Sequence, residues 1–386
     1  MHGRGPEFKG EKKAAEYIAS EFSKLGLQPI GKKYLQKFSI KGIHTYQGDM
    51  FVGLDGNPIS PGKDFICDVS TPKIKGVFPL EYLKEEFHSD KKAYQTFLSK
   101  DHRKNFLIVD DHKISNVLKK SIFNLISKDS LRPAGLLIIE DDKLTFGREK
   151  TTSRYIAILH ILRKSIPEHI KNISLDIDCK KKRTYKSANV AAMIEGKQQK
   201  DSFIVFTAHY DHIGSMGANT YFPGANDNAS GVGMLLSLAK NYTINPAKYS
   251  MVFIAFGAEE QGLLGSEYFA AHPLLNLDHI RFLINLDILG TGDDGIRVVN
   301  ATIFNKEFER LLRINRNEQL LKQIRKRGEA AISDHYPFYI NAVPCFYIYT
   351  LGEIKAYHDI YDQAVTLPLT EFDDIYTLLT LFVNSF

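Results

Sequence analysis

Cysteine is scarce: three residues in 386, Cys67, Cys179 and Cys345, stand far apart and never as a CxxC pair. That spacing offers neither a thiolate zinc site nor a dithiol redox motif, and allows one disulfide at most. Cys345 sits in the apolar run AVPCFYIY and reads as a small buried hydrophobe. No apolar run approaches the roughly 20 residues of a membrane span, and the opening MHGRGPEFKGEKK has no hydrophobic signal region. Charge of one sign is hardly in excess. A net +5 is too little to imply a nucleic-acid partner without a clustered patch. The densest basic run, CKKKRTYK from Cys179, lies between two strand-like segments and reads as a solvated loop or edge.

What is present is length enough for a full core, in two patterns. GEKKAAEYIASEFSKLGLQPIG is an amphipathic helix, with Ala14, Ile18, Phe22 and Leu25 on one face and Gly26 as its stop. Residues 45–166 are less regular: short apolar runs, NFLIV and AGLLII, flank a helix-like stretch and hold no catalytic cluster. They read as a smaller inserted α+β domain. From residue 167 the strand-like runs NISLDID, NVAAMI, FIVFTA, SMVFIAF, RFLINLD and VPCFYIY alternate with amphipathic helices. This predicts an α/β domain of residues 1–44 and 167–386, with a mixed, mostly parallel central sheet covered on both faces.

The acids and histidines of this domain fall at or just past the C-terminal ends of those strands. FIVFTAHYDH carries His209 and Asp211, FIAFGAEE carries Glu259 and Glu260, and FLINLD carries Asp287. PGANDNASG places Asp227 in a loop before a helix, and YIYTLGEIKAYHDIYD places His358 after a strand. That edge is where sites form in open α/β sheets. Singly, each residue has an ordinary structural reading as a turn, a cap or a strand end. As a set they do not. Imidazole and carboxylate without thiolate suit zinc and similar metals. His209, Asp227, Glu260, Asp287 and His358 supply two ions if one carboxylate bridges, and three carboxylates with one hydroxide neutralise them. Glu259, next to a ligand, can then serve as general base, and Asp211 can reach back to the His209 ring N–H.

The ordered set AHYDHIG, PGANDNASGVGMLLSLA, FGAEEQGLLGSEYF, INLDILG, SDHYPF and YHDIYD resembles the M28 family of zinc-dependent aminopeptidases. The resemblance implies a three-layer α/β/α sandwich binding two zinc ions per chain. His209 and Asp287 would hold one, Glu260 and His358 the other, and Asp227 would bridge. It further implies attack by a bridging hydroxide, with Glu259 as base and Asp211 as orienting acid, on peptides with a free N-terminus. A cis peptide is expected at Asp227–Asn228. The insert occupies the place of a protease-associated domain and resembles it loosely. HGRGPEFKG is similar to the start of mature secreted relatives, which implies a secreted or periplasmic protein with its leader removed; a cytosolic home is the alternative. Where some relatives carry an oxyanion-binding tyrosine before S-D-H, this chain has Ala330, Ala331 and Ile332, leaving His335 and Tyr336 as substitutes or as packing. The competing functions are a one-zinc glutaminyl cyclase-like acyltransferase and a non-catalytic receptor or binding module on the same fold.

Overall fold

The computed structural model describes residues 3–148 and 156–386, so Met1 and His2 of the opening motif lie outside it. Four parallel strands, Tyr249–Phe256, Gln199–His209, Ile280–Leu286 and Cys345–Thr350, lie side by side in that order. Antiparallel strands border them: Asn172–Ile194 on one side and Ile296–Val299 on the other. Successive residues of a strand enter opposite cores. Phe206 packs on the side of helices Gly10–Lys24, Gly231–Ile244, Asn305–Glu318 and Phe372–Asn384, through Ile18, Leu235, Phe308 and Leu379. Val205 packs on the side of helices Leu264–Ala271 and Tyr336–Tyr339, through Phe269 and Phe338. Apolar side chains on both sides are why these strands read as unbroken hydrophobic runs. The result is the expected α/β architecture, helices on both faces of a mixed, mostly parallel open sheet.

Strands Leu35–Leu54 and Asn172–Ile194 form a long antiparallel ribbon, paired from Leu35 opposite Val190 to Leu54 opposite Ile173. It leaves the main sheet and enters a second core, contributing Val52, Leu54, Ile173, Leu175 and Ile177. There strands Ile74–Tyr82, Phe106–Val109, Gly135–Glu140 and Ala157–Leu162 pair in parallel. Helices Lys91–Leu98 and Asn116–Ser127 cover them through Phe97, Leu118 and Ile122. One expectation is corrected here: NISLDID and NVAAMI are a single strand of 23 residues. The basic run is its middle, mostly exposed side chains on a two-stranded stretch. No clean apolar alternation marks such a stretch: one face is covered only in places, where Ile40, Ile43 and Tyr185 pack with Ala258 and Leu264, and the rest is exposed. All three cysteines are free, Cys67 and Cys345 buried, and no described helix is long and apolar enough to cross a membrane.

Candidate functional site

The strand ends bring the sequence-selected residues together. His209 ends strand Gln199–His209, Asp287 follows Ile280–Leu286, and Glu259 and Glu260 follow Tyr249–Phe256 by a short turn. The Asp227 carboxylate faces two ways: Oδ1 lies 3.3 Å from His209 Nε2 and Oδ2 lies 3.0 Å from His358 Nε2. Asp287 Oδ1 is 3.2 Å from His209 Nε2, and Glu260 Oε2 is 3.1 Å from His358 Nε2. Two groups of donors result, His209, Glu259 and Asp287 in one, and His212, Asp227, Glu260 and His358 in the other, each spanning at most 4.8 Å.

Local sequence explains how each donor is held. The segment Ala225–Ser230, with its cis Asp227–Asn228 peptide, is stitched down by its own polar side chains. Asn226 Oδ1 accepts the Gly290 N–H at 2.8 Å, Ser230 Oγ that of Leu289 at 2.8 Å, and the Asn228 amide donates to Leu286 O at 2.9 Å. Asp362 accepts the N–H groups of Asn226 and Asp227 at 2.7 and 3.0 Å. Asp287 is aimed by a buried relay: Thr207 Oγ1 donates to Asn285, the Asn285 amide to Ser333 Oγ, and Ser333 Oγ to Asp287 Oδ2 at 2.7 Å.

Asp211 is placed differently from the sequence expectation. Its backbone carbonyl, at 3.2 Å, is the partner of His209 Nδ1, while its carboxylate stands 3.9 Å from that nitrogen. The carboxylate instead accepts the amide N–H groups of Glu259 at 3.0 Å and Glu260 at 3.3 Å. Two backbone donors outcompete one imidazole N–H, and Nε2 of His209 faces Asp287 and Asp227.

Electrostatics separate the two adjacent glutamates. Burial and Asp227 oppose ionisation of Glu260, but His358 and His212 outweigh them and draw the carboxyl down to about 2. Loss of solvation, with Glu260, Asp334 and Asp287 nearby, holds Glu259 well above the ordinary carboxylate range against the pull of His209. Burial also opposes charge on His358, yet Glu260 and Asp227 raise it to about 11. Such mutual attraction marks a charge-dense pocket that a cation satisfies. A tetrahedral metal with bonds of about 2.0–2.1 Å sets its ligand atoms roughly 3.3 Å apart, close to the separations across Asp227, His209, Asp287, Glu260 and His358. The donor set therefore fits a divalent metal of the zinc type.

A cleft of about 370 Å³ opens onto this cluster, lined by Glu259, Glu260 and His358 together with Cys67 and Phe146 from the second core. Ala331 and Ile332 line it as well. His335 is fully buried, tilted against Tyr347 at 5.2 Å between ring centroids, and burial lowers it to about 4. Tyr336 is half-buried beside Tyr339. Neither belongs to the donor groups. Sequence reasoning missed four contributors. His212 is fully buried, with Nδ1 2.7 Å from Glu260 Oε1 but not aligned to hydrogen-bond it. Asp334 is fully buried, with both oxygens unpartnered, and burial pushes it up to about 7. Tyr347 is buried near Asp287, Glu259 and Asp227. Arg4 approaches from the N-terminus. His212 and Asp334 stood within the quoted motifs AHYDHIG and SDHYPF, which was the available signal.

Residues 189–383 match the model of peptidase family M28. A curated relative, aminopeptidase YwaD of Bacillus subtilis, is 39% identical over 109 residues, which are 27% of this chain and 22% of that protein. The chain thus spans under a quarter of that relative's length. Among solved structures, BSAP, described as a zinc aminopeptidase from Bacillus subtilis, superposes with a TM-score of 0.71 at 21% identity, covering 98% of this chain and 89% of its own. An aminopeptidase from Aneurinibacillus sp. strain AM-1 gives 0.65 at 19% identity over 97% and 88% of the two chains. At such identities the likeness is one of fold. The family match, taking in half of the 386 residues, includes every residue of both donor groups, and the chain belongs to peptidase family M28.

Proposed function

We propose that the protein is a zinc-dependent aminopeptidase with two ions per chain, acting on peptides with a free N-terminus. His209 and Asp287 would hold one ion, Glu260 and His358 the other, and Asp227 would be shared. The observation that carries this reading is the split of the Asp227 carboxylate, one oxygen toward His209 and the other toward His358. When bound, zinc supplies Lewis acidity toward the scissile carbonyl and makes water acidic near neutral pH. Glu259 stands in the cleft, free of the Asp227 bridge, and is the group that takes a proton from the attacking water and returns it to the leaving amine. Asp211 sets the turn that presents Glu259 and Glu260 by binding both their amides. The relay through Asn285 and Ser333 fixes the orientation of Asp287. His212, beside Glu260, favours the charged form of that carboxyl. Residues 1–44 and 167–386 would form the catalytic domain and 45–166 an insert bordering the cleft, although the core of the insert also takes Ile173, Leu175, Ile177, Ile213 and Met216 from the second stretch.

The test is elemental analysis of the purified protein together with hydrolysis of aminoacyl-arylamides, with and without chelator. Two zinc per chain and chelator-sensitive release from free but not blocked N-termini support the reading. One zinc, cyclisation of N-terminal glutamine and no hydrolysis would transfer the protein to the cyclase function.

A further inference from the structure

The segment before the first helix lies outside the residues that the family model matches, yet it reaches the heart of the site. Arg4 extends between the two loops that carry the donors. Its Nε donates to Tyr210 O at 2.7 Å, and one terminal nitrogen to Pro223 O at 2.8 Å. The other terminal nitrogen donates to Gly224 O at 2.7 Å and Asp227 O at 3.3 Å. The Arg4 carbonyl accepts the His212 N–H at 3.2 Å. One residue thereby joins the loop bearing His209, Asp211 and His212 to the loop bearing Asp227. The carboxylates of Asp227, Asp211, Asp362 and Glu260 surround its charge.

The rest of the segment is shaped for this approach. A Cβ on Gly3 would stand 2.4 Å from Gly214 O, and one on Gly5 would stand 2.5 Å from Gly214 Cα. Only glycine permits backbone to lie on backbone so closely. Beyond them Glu7, fully buried, pairs with Arg148, whose Nε donates to Ile213 O at 2.6 Å. The segment is thus pinned on both sides of the loop that holds His212. A planar guanidinium with five N–H donors can serve several carbonyls at once; a lysine ammonium is a point charge with three.

We propose that Arg4 is a positioning residue for the metal centre, setting the spacing between the His209–His212 loop and the Asp227 loop, so that the N-terminal segment is part of the site. In its metal readout this rests on the function proposed above. The test compares the full chain with Arg4→Lys and Arg4→Met by titrating zinc into the metal-free proteins against a chromophoric chelator. Zinc affinity is expected to fall roughly tenfold or more in Arg4→Met and also to fall in Arg4→Lys, with unchanged circular dichroism of the metal-free forms. Wild-type affinity in both variants would overturn the proposal. If Arg4→Met does not fold, Arg4→Lys, which keeps charge and bulk, decides by the same criterion. If the wild-type chain binds no zinc, the metal reading fails and amide hydrogen exchange reads the clamp alone. Faster exchange in residues 210–214 and 223–229 of Arg4→Lys supports it, and an unaltered pattern sinks it.

Discussion

Two adjacent glutamates acquire opposite characters. Burial opposes charge on both; at Glu260 two histidines outweigh it and draw the carboxyl down to about 2, while at Glu259 burial, with Glu260, Asp334 and Asp287, prevails over His209 and holds it well above its ordinary range. The roles proposed for them separate in the same way. Glu259→Gln should leave two zinc per chain and lower kcat by about 10²-fold or more, whereas Glu260→Gln should lose metal by elemental analysis. Metal loss from the first variant and not the second would mean that the roles are exchanged. Most of the residues that sequence reasoning selects are legible because they stand at or just past an apolar strand, where a charged side chain has no packing reason to be; Asp227 and His358 stand in loops and are legible by their motifs. His212 and Arg4 carried no such signal. His212 follows the strand in an irregular loop, where spacing implies no face, and Arg4 acts through carbonyls of residues more than 200 positions away. Asp211 was selected, but whether its carboxylate or its carbonyl would meet His209 depends on a turn that no local pattern announces.

At the scale of elements, the site is built where strands stop and the backbone turns sharply. Ala258, Ile288 and His358 all adopt left-handed conformations, with φ of 61°, 63° and 53°, a cost of order 1–3 kcal/mol each that surrounding structure must over-determine. Each lies next to, or is itself, one of the residues aimed into the cleft. The relay to Asp287 is part of that over-determination. Ser333→Ala removes the donor to Asp287 Oδ2 and strands the Asn285 amide, so zinc affinity should fall by about 10- to 100-fold with little change in KM, measured by chelator competition. The parallel strands were readable from their apolar runs and the first helix from its period, whereas the ribbon was not. Its middle stretch is basic and covered on one face only in places, so a 23-residue strand reads as two strands and a basic loop.

At the scale of the molecule, the thiols report on packing. Burial lifts Cys179 from 9.0 to about 11 and Cys345 from 9.0 to about 12, and it lifts Cys67 as well. The folded chain therefore keeps protons that the unfolded chain releases above pH 9. Stability should fall as pH rises from 9 toward 11 for Cys179 and toward 12 for Cys345, by at most about 1.4 kcal/mol per pH unit for each thiol, as read from denaturant midpoints. A disulfide reagent at pH 8 should react slowly with the native protein and titrate three thiols after denaturation.

The ribbon of Leu35–Leu54 and Asn172–Ile194 carries the same two strands into two apolar cores, with a register shift between Tyr46 and Met50. Melting of either core frees one end of both shared strands, which couples the unfolding of one core to that of the other. Heating should therefore produce one cooperative calorimetric transition, with van't Hoff and calorimetric enthalpies in agreement, and the insert should act as a thermal sentinel for the catalytic sheet.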